Sequence, residues 1–408
     1  MKAKNTLVGL TLLLGMAVVV RAQETFRTNI NPALIYYRAD LLAPRWDAGD
    51  RDYIFTNNWH ARPMDQRVGD LVSTYKHEFE LLHQASLSKV ACDWGIDETP
   101  GPNTLLPGLS RWKQAGQVAR LRAGWELQHG NAVEAREDLL SAFILGRNVS
   151  REGYLVSALV QFAIENEVCL AVAENYFRIP TETSQELVAG MEAAPARGRV
   201  AQALTKESFN FPDWLLRQIE LKRKQHPGDD SKVFNDMIEA LDRFTDAQAQ
   251  TNAPRKTLAE IKKDLGGNVD GMVKLIKDLA LVRQKNAQVS VLPYPEFEKQ
   301  AAQLNTEIKA SSNPLVRLFL PASTKSRPKE EAMVVKLAMV RAASEYKLNG
   351  EAGAKTVLDP AGNAPFEIQP FIFQGERRGI KFTSVFKGRG WPETLIFVEK
   401  DGPPFLGL

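Results

Sequence analysis

The sequence predicts a mainly α-helical protein: an irregular multi-helical, solenoid-like array with a small β-unit at its C-terminus. Three observations support this class. Apolar residues recur at helical spacing through most of residues 68–349, and the stretch 150–177 is apolar on nearly every face. Short β-rich runs separated by turn residues begin only after residue 356. We therefore expect a helical domain at 23–350 and a β-rich unit at 351–408 that packs on the last helix.

Residues 1–22 have the pattern of a secretory signal peptide. Lys2 and Lys4 precede an apolar run at 7–20, and a small-residue cleavage pattern ends at Ala22. We expect cleavage there and export to the periplasm or the extracellular space of a bacterium. The alternative is an uncleaved N-terminal anchor. No later apolar block reaches the roughly 18 residues of a membrane span, so we expect no span in the mature chain.

The charge balance changes when the signal is removed. The whole chain has 52 Lys and Arg against 49 Asp and Glu, a formal net charge of +3. Its first 22 residues hold three of the basic residues and no acidic one, which leaves 49 of each sign. A neutral chain lacks the excess of positive charge that binds phosphates, so no nucleic-acid partner is expected.

The N-terminal part of the mature chain predicts two helices. Asn31 is a good N-cap for a helix over 33–42, with Pro32 at its first position and Pro44 beyond its end. The rest of 23–67 reads as irregular. A second helix is predicted over 68–87 from the helical spacing of its apolar residues.

Two further helices, 109–128 and 132–147, are predicted to form a hairpin that turns at 129–131. Its second half resembles one tetratricopeptide repeat in the offsets of its glycine, alanine and leucine residues. No second copy follows about 34 residues later, although such repeats need several units to stabilise one another. A generic helical hairpin is the alternative.

The stretch 150–177 predicts the central helix of the protein. Ser150 is its expected N-cap and Pro180 its stop. A polar step, Glu165-Asn166-Glu167, interrupts the apolar sequence. If these side chains are buried, the step is a better place to look for function than any short motif.

Amphipathic helices fill the chain between Pro180 and the C-terminal unit. Apolar spacing, turn residues and caps predict them at 183–193, 200–206, 214–225, 231–249, 255–264, 269–286, 294–308 and 329–349. The C-terminal unit then contains two or three strands, drawn from 366–373, 379–386 and 393–400.

The C-terminal segment resembles a degenerate tail of the type II secretion pseudopilins. The residues that carry this resemblance are Asp359, Pro360, Gly362, Pro365 and Ser384. Ala361 stands where that motif has tryptophan, and the acidic calcium-binding end is missing, so calcium binding is not implied. More broadly, the chain resembles a group of uncharacterised exported bacterial proteins with such a tail, which implies no known activity.

The two cysteines, Cys92 and Cys169, allow one disulfide pairing in an exported chain. A bridge would tie the loop after residue 91 to the middle of the central helix and contribute on the order of 4 kcal/mol. The alternative is two unrelated buried thiols, since cysteine packs well as a small apolar residue.

Two Glu-x-x-His pairs, Glu80 with His83 and Glu126 with His129, are candidate metal ligands. Carboxylate-bridged di-metal sites in helical bundles use two such pairs, because side chains at i and i+3 point to one metal. The alternative is that His129 reaches solvent at its helix end. We expect no cofactor and no metal on balance.

The acidic loop residues Asp93, Asp97 and Glu98 have two interpretations. They are cation ligands or catalytic carboxylates in one, and turn-forming or capping residues in the other. Trp94 between them is expected to be a packing anchor.

No motif of a common catalytic class is present in the sequence. We therefore expect an exported protein of the cell envelope that acts as a protein-interaction or scaffold module. The alternative is an exported hydrolytic or metal-dependent enzyme with its site near 77–98 and 126–129.

Overall fold

The computed structural model describes residues 29–400 apart from 57–58, 60–62, 107, 247–252, 321–324 and 389. The signal peptide predicted at 1–22 lies outside these residues. The described chain is mainly helical and ends in a three-stranded antiparallel sheet, which confirms the predicted fold class.

Four helices form the N-terminal part: α1 (Pro32–Leu42), α2 (Ala48–Thr56), α3 (Gln66–Ser73) and α4 (Lys76–Ser86). The Asn31 side chain caps α1 as predicted, because its oxygen accepts a hydrogen bond from the Ala33 N–H at 3.1 Å. The helix α2 was not predicted, since its few apolar residues show no clear periodicity.

The single helix predicted over 68–87 is wrong, because the chain breaks between α3 and α4. The hydroxyls of Ser73 and Thr74 donate to the carbonyls of Asp70 and Leu71 at 2.7 and 2.6 Å. Such local bonds compete with the regular helical pattern and end α3.

The predicted hairpin is formed by α5 (Leu109–Gln128) and α6 (Ala132–Val149), and the central helix α7 (Leu155–Glu174) packs against both. The predicted start of α7 at Ser150 is wrong. Residues Ser150–Glu152 form a 3₁₀ turn, and Gly153 then adopts a φ of +72°, a left-handed conformation that suits glycine and separates the turn from α7.

Within the described residues, α7 is the one helix long and apolar enough to cross a membrane by length and composition. More than half of its apolar window is buried inside the protein. It contacts α5 and α6 on one side and the C-terminal unit on another, as a core helix does.

Two helices follow α7: α8 (Thr181–Ala193) and α9 (Val200–Gln225). The prediction of separate helices at 200–206 and 214–225 is wrong, since α9 runs unbroken through Pro212. Pro212 is buried, so packing outweighs the cost of the backbone hydrogen bond that proline cannot donate.

A second hydrophobic cluster is built by the later part of α9 and five further helices. These are α10 (Asp230–Asp246), α11 (Ala253–Leu265), α12 (Val269–Ser290), α13 (Tyr294–Ala310) and α14 (Pro314–Phe319). The half-buried Tyr294 packs against both this cluster and the one around α7.

The last helix, α15 (Arg327–Ala354), leads into the sheet of β1 (Glu367–Phe373), β2 (Glu376–Lys387) and β3 (Pro392–Val398), in the order β1-β2-β3. A kink at Gly350, with φ of 65°, lies beside the predicted domain boundary. The sheet packs on α15 and also on the central part of the protein, where the centre of the Phe397 ring lies 5.5 Å from that of Tyr176.

One buried carboxylate fastens the turn before β1 to the sheet. Asp359 accepts hydrogen bonds from the Ser384 hydroxyl at 2.7 Å and the Val385 N–H at 2.9 Å through one oxygen, and from the Ala361 N–H at 3.0 Å through the other. Two of the residues that carry the pseudopilin resemblance, Asp359 and Ser384, are therefore in direct contact.

Replacing Asp359 by asparagine should destabilise the C-terminal unit by about 2–4 kcal/mol, because an amide cannot accept from all three donors and bonds to a charged group are the strong ones. Chemical denaturation of the mature chain measures the loss. Asp97→Asn, in an exposed turn, is the matched control and should cost less than about 0.5 kcal/mol. Equal effects would contradict this role for Asp359.

Candidate functional site

The structure does not gather the four candidate metal ligands. Glu80 is exposed and pairs with the His77 Nδ1 at 3.0 Å, which holds the pKa of Glu80 below its usual value. His129 bonds through Nδ1 to the Trp125 carbonyl at 2.8 Å, and Glu126 accepts from Asn131. Among the described residues, no three His, Cys, Asp or Glu side chains are placed so that they could hold a metal ion together. This applies also to the candidate ligands Glu80, His83, Glu126 and His129.

Cys92 and Cys169 are free thiols that belong to different hydrophobic clusters. Burial raises the pKa of both thiols to about 12. The structure therefore places them as two separate buried thiols, the second of the two sequence interpretations, and their low acidity makes them unreactive.

The acidic loop after Cys92 is held by two turns and one ion pair. Asp93 accepts from the Gly95 N–H and Asp97 from the Thr99 N–H, both at 2.9 Å, while Glu98 pairs with Lys206. Trp94 anchors the loop, because its Nε1 donates to the Asn148 carbonyl at 2.8 Å. Each of these three acidic side chains therefore has a partner within the protein.

The polar step of α7 is held by protein contacts at all three positions. Glu167 pairs with Arg120 of α5 at 2.8 Å, and Asn166 accepts from the Lys336 ammonium of α15 at 2.9 Å. The Glu165 carboxylate is fully buried. Each of the three consecutive side chains therefore ties the central helix to a different element.

Glu165 is the centre of a buried ion-pair network. Arg147, at the end of α6, lies 2.7 Å from one carboxylate oxygen, and Arg197, in the segment before α9, pairs with the other. Gln161, one turn earlier on α7, donates to Glu165 at 2.9 Å and accepts from the Gly198 N–H at 2.9 Å. Two cations share this one buried carboxylate, so the network ties α6 and the segment before α9 to the central helix.

A second buried acid, Glu78 on α4, lies near the C-terminal end of α1. Its side chain is 3% exposed, and its Oε2 has no hydrogen-bond partner. Burial, with a smaller contribution from Asp40, raises the pKa of Glu78 to about 8, against the attraction of Arg111 and Arg122. Glu78 is therefore mostly protonated at neutral pH.

Glu78 was missed at the sequence level, although a signal was available. It lies three residues after Tyr75 and four before Leu82, on the apolar face of α4. An acid on the buried face of a helix is uncommon and indicates either a partner or a shifted pKa.

The opposite side of α1 carries an apolar surface. Its inner face packs on α4, whereas Leu34, Leu41 and Leu42 are 57%, 82% and 57% exposed, and Arg38 is exposed between them. Residues 34, 38 and 41 share one helix side by their spacing. We name Leu34, Arg38, Leu41 and Leu42 the α1 outer face. Clustered exposed apolar side chains mark interaction surfaces.

Glu165→Gln should lower the free energy of unfolding by about 3–5 kcal/mol, because it removes the buried carboxylate that Arg147 and Arg197 share. Urea denaturation of the mature chain measures this change. Glu239→Gln, which breaks an exposed pair with Arg243, is the matched control and should cost less than about 0.5 kcal/mol. A loss below 1 kcal/mol for Glu165→Gln would show that the network is not rigidly buried.

The Glu78 carboxyl should make stability fall as pH rises. Its pKa is 4.5 in the unfolded chain and about 8 in the fold. Between these values the folded protein keeps a proton that the unfolded chain has lost, so the free energy of unfolding decreases through this window.

Glu78→Gln removes that titration. The free energy of unfolding of the variant minus that of the parent chain should therefore increase between pH 5 and pH 8, by an amount on the order of 1–3 kcal/mol. Urea denaturation across this range gives the slope of the free energy of unfolding against pH. The variant leaves the neighbouring residues Asp40, Arg111, Arg122 and Tyr75 unchanged. The exposed variant Glu239→Gln, whose ion-pair partner is an arginine and not a histidine, should leave the slope as it is. Identical slopes for Glu78→Gln and the parent chain would refute the shifted pKa.

Compared with protein family models, with curated proteins and with solved structures, the chain shows no significant match to any of them.

Proposed function

We propose that this chain is an exported helical protein that acts as a protein-interaction or scaffold module of the bacterial cell envelope. The signal pattern of residues 1–22 supports export, and the mature chain would work without a membrane span in the periplasm or outside the cell. The observation that carries the interaction role is the α1 outer face, where three leucines of one helix lie exposed together.

The partner expected at this surface is a protein helix with aliphatic side chains and an acidic residue. The leucines offer apolar area on a rigid helix, because the inner face of α1 is fixed by the buried Ile35, Tyr36 and Ala39. Arg38 has no carboxylate partner among the described ion pairs. It is therefore available to pair with a carboxylate of the binding protein.

Fixed internal contacts around the surface favour a docking role over catalysis. The Asn31 amide donates to the Asp93 carbonyl at 2.6 Å, which ties the start of α1 to the Trp94 loop. The Asp40 carboxylate pairs with Arg111 of α5 at 3.1 Å and holds the other end. A surface held at both ends is pre-organised and loses little entropy when a partner binds.

A photo-reactive amino acid at position 41 should crosslink one partner of defined mass in cells of the native host. Adding Leu34→Glu should reduce the yield of the adduct about tenfold, because it places a charge where the complex would bury an apolar side chain. Gel mobility and mass spectrometry of the exported chain measure the adduct, and the mass of the free chain reports whether cleavage follows Ala22.

The matched control places the same photo-reactive group at Leu281 of α12, a leucine of similar exposure outside the α1 outer face. It should give no adduct of that mass. Equal adducts at positions 41 and 281, or none at 41, would contradict the proposed surface. If the adduct forms only within the chain, the surface is covered by another segment of this protein.

A further inference from the structure

A buried contact joins the α1 outer face to an ionisable side chain. Helix α1 packs on α4, and Glu78 of α4 is 3% exposed. Asp40, on the last turn of α1, lies close enough to act on a charge at Glu78. Leu41 and Leu42 of the α1 outer face follow Asp40 directly. A change of charge at Glu78 therefore acts on the end of α1 that carries these two leucines.

The charges that face Glu78 come from α1, α5 and α6. Asp40 of α1 repels a negative charge on Glu78, whereas Arg111 and Arg122 of α5 attract it. Asp138 of α6 pairs with Arg122 at 2.9 Å. While Glu78 is protonated, two acids and two arginines balance one another. Loss of the proton leaves one buried negative charge in excess, which is costly.

The Tyr75 hydroxyl, one turn earlier on α4, stays neutral over the same pH range. It accepts a hydrogen bond from the Gln114 amide at 3.1 Å. Burial, and to a smaller extent the charge of Glu78, raises the pKa of Tyr75 to about 12, against the attraction of Arg111 and of Arg51 in α2. Of these groups, Glu78 is therefore the one that changes charge just above neutral pH.

The two arginines near Glu78 differ in how firmly they are held. Arg122 and Asp138 are 12% and 10% exposed, and Arg122 also donates to the Val72 carbonyl at 3.1 Å. The pair of Arg111 with Asp40, at 3.1 Å, is 38% and 25% exposed. Exposed ion pairs contribute little to stability, whereas breaking a buried one is costly. Arg111 is therefore the cation that can change its partner.

We infer that Glu78 and Arg111 form a proton-controlled switch of the α1 outer face. When the Glu78 carboxyl loses its proton to solvent, the Arg111 guanidinium leaves Asp40 and pairs with Glu78, which releases the C-terminal end of α1. The protonated state holds Leu41 and Leu42 on a fixed helix end, and the ionised state loosens them. As a control of partner binding, the switch rests on the proposed function, whereas the motion of α1 does not.

The switch acts between neutral and alkaline pH. The pKa of Glu78 is about 8 in the fold, so the protonated state dominates at pH 7 and the ionised state at pH 9. Each pH unit above this value favours the released state by at most about tenfold. Partner binding at the α1 outer face is therefore favoured at neutral pH and weakened at alkaline pH.

Hydrogen exchange of the mature chain at pH 7 and pH 9, read by mass spectrometry, tests the switch without a partner. The protection factor compares each exchange rate with that of an unfolded chain at the same pH. The last turn of α1, where the Ala43 N–H donates to the Ala39 carbonyl at 3.0 Å, should lose protection about tenfold between the two values. Helix α12, in the second hydrophobic cluster, should stay protected.

Two variants separate the switch from a general loss of structure. Glu78→Gln should keep the end of α1 equally protected at both pH values, because an amide does not ionise. Lys347, whose pKa burial lowers to about 8, titrates in the same range but is present in both chains, so their difference isolates Glu78. Asp40→Asn frees Arg111 for Glu78 and removes a repulsive charge. The infrared band of the protonated carboxyl, assigned by its loss in Glu78→Gln, should therefore disappear at a lower pH in Asp40→Asn.

The matched control is Glu239→Gln, which alters an exposed pair with Arg243 and should exchange like the parent chain at both pH values. The inference is overturned if the parent chain keeps its protection at pH 9, if Glu78→Gln loses it equally, or if the loss extends to α12. An infrared band that titrates identically with and without Asp40→Asn would also overturn the exchange of partners. Absence of a crosslinked partner at position 41 contradicts the proposed function and leaves the exchange result unaffected.

Discussion

The buried carboxylate of Glu165 is the constraint on which the helical arrangement depends. Apolar contacts alone would let a helix as hydrophobic as α7 rotate or slide in its groove, because such contacts are not directional. A buried charge allows only positions where both Arg147 and Arg197 reach it. The neighbouring side chains add two further contacts, one from Asn166 to α15 and one from Glu167 to α5, which also limit the position of α7. The polar step therefore fixes the rotation and register of the central helix at the cost of some stability.

Local sequence signals predicted most helices and the strands but misplaced several boundaries, and the reasons are specific. The break after Ser73 depends on hydroxyl bonds to the backbone, and polar residues at such positions are equally compatible with a continuous helix. The late start of α7 depends on the left-handed backbone at Gly153. The unbroken helix through Pro212 depends on packing against distant residues, which overrides local propensity.

The candidate sites were harder to predict because they combine residues that are distant in sequence. The polar step was visible as a break in an apolar helix, but its partners Arg147 and Arg197 were not, since only the fold brings them to α7. The Glu-x-x-His pairs had the spacing of metal ligands, yet spacing shows only that two side chains share a helix face. Glu78 shows that a single acid on an apolar face is the more informative signal.

The second hydrophobic cluster is joined to the C-terminal sheet by the aromatic ring of Tyr294. The centre of this ring lies 4.9 Å from that of Phe386 in β2 and 5.8 Å from that of Phe297 in α13. One side chain that packs against the second cluster therefore also supports the sheet. The aromatic contacts thus give the second cluster a direct mechanical connection to the unit fastened by Asp359.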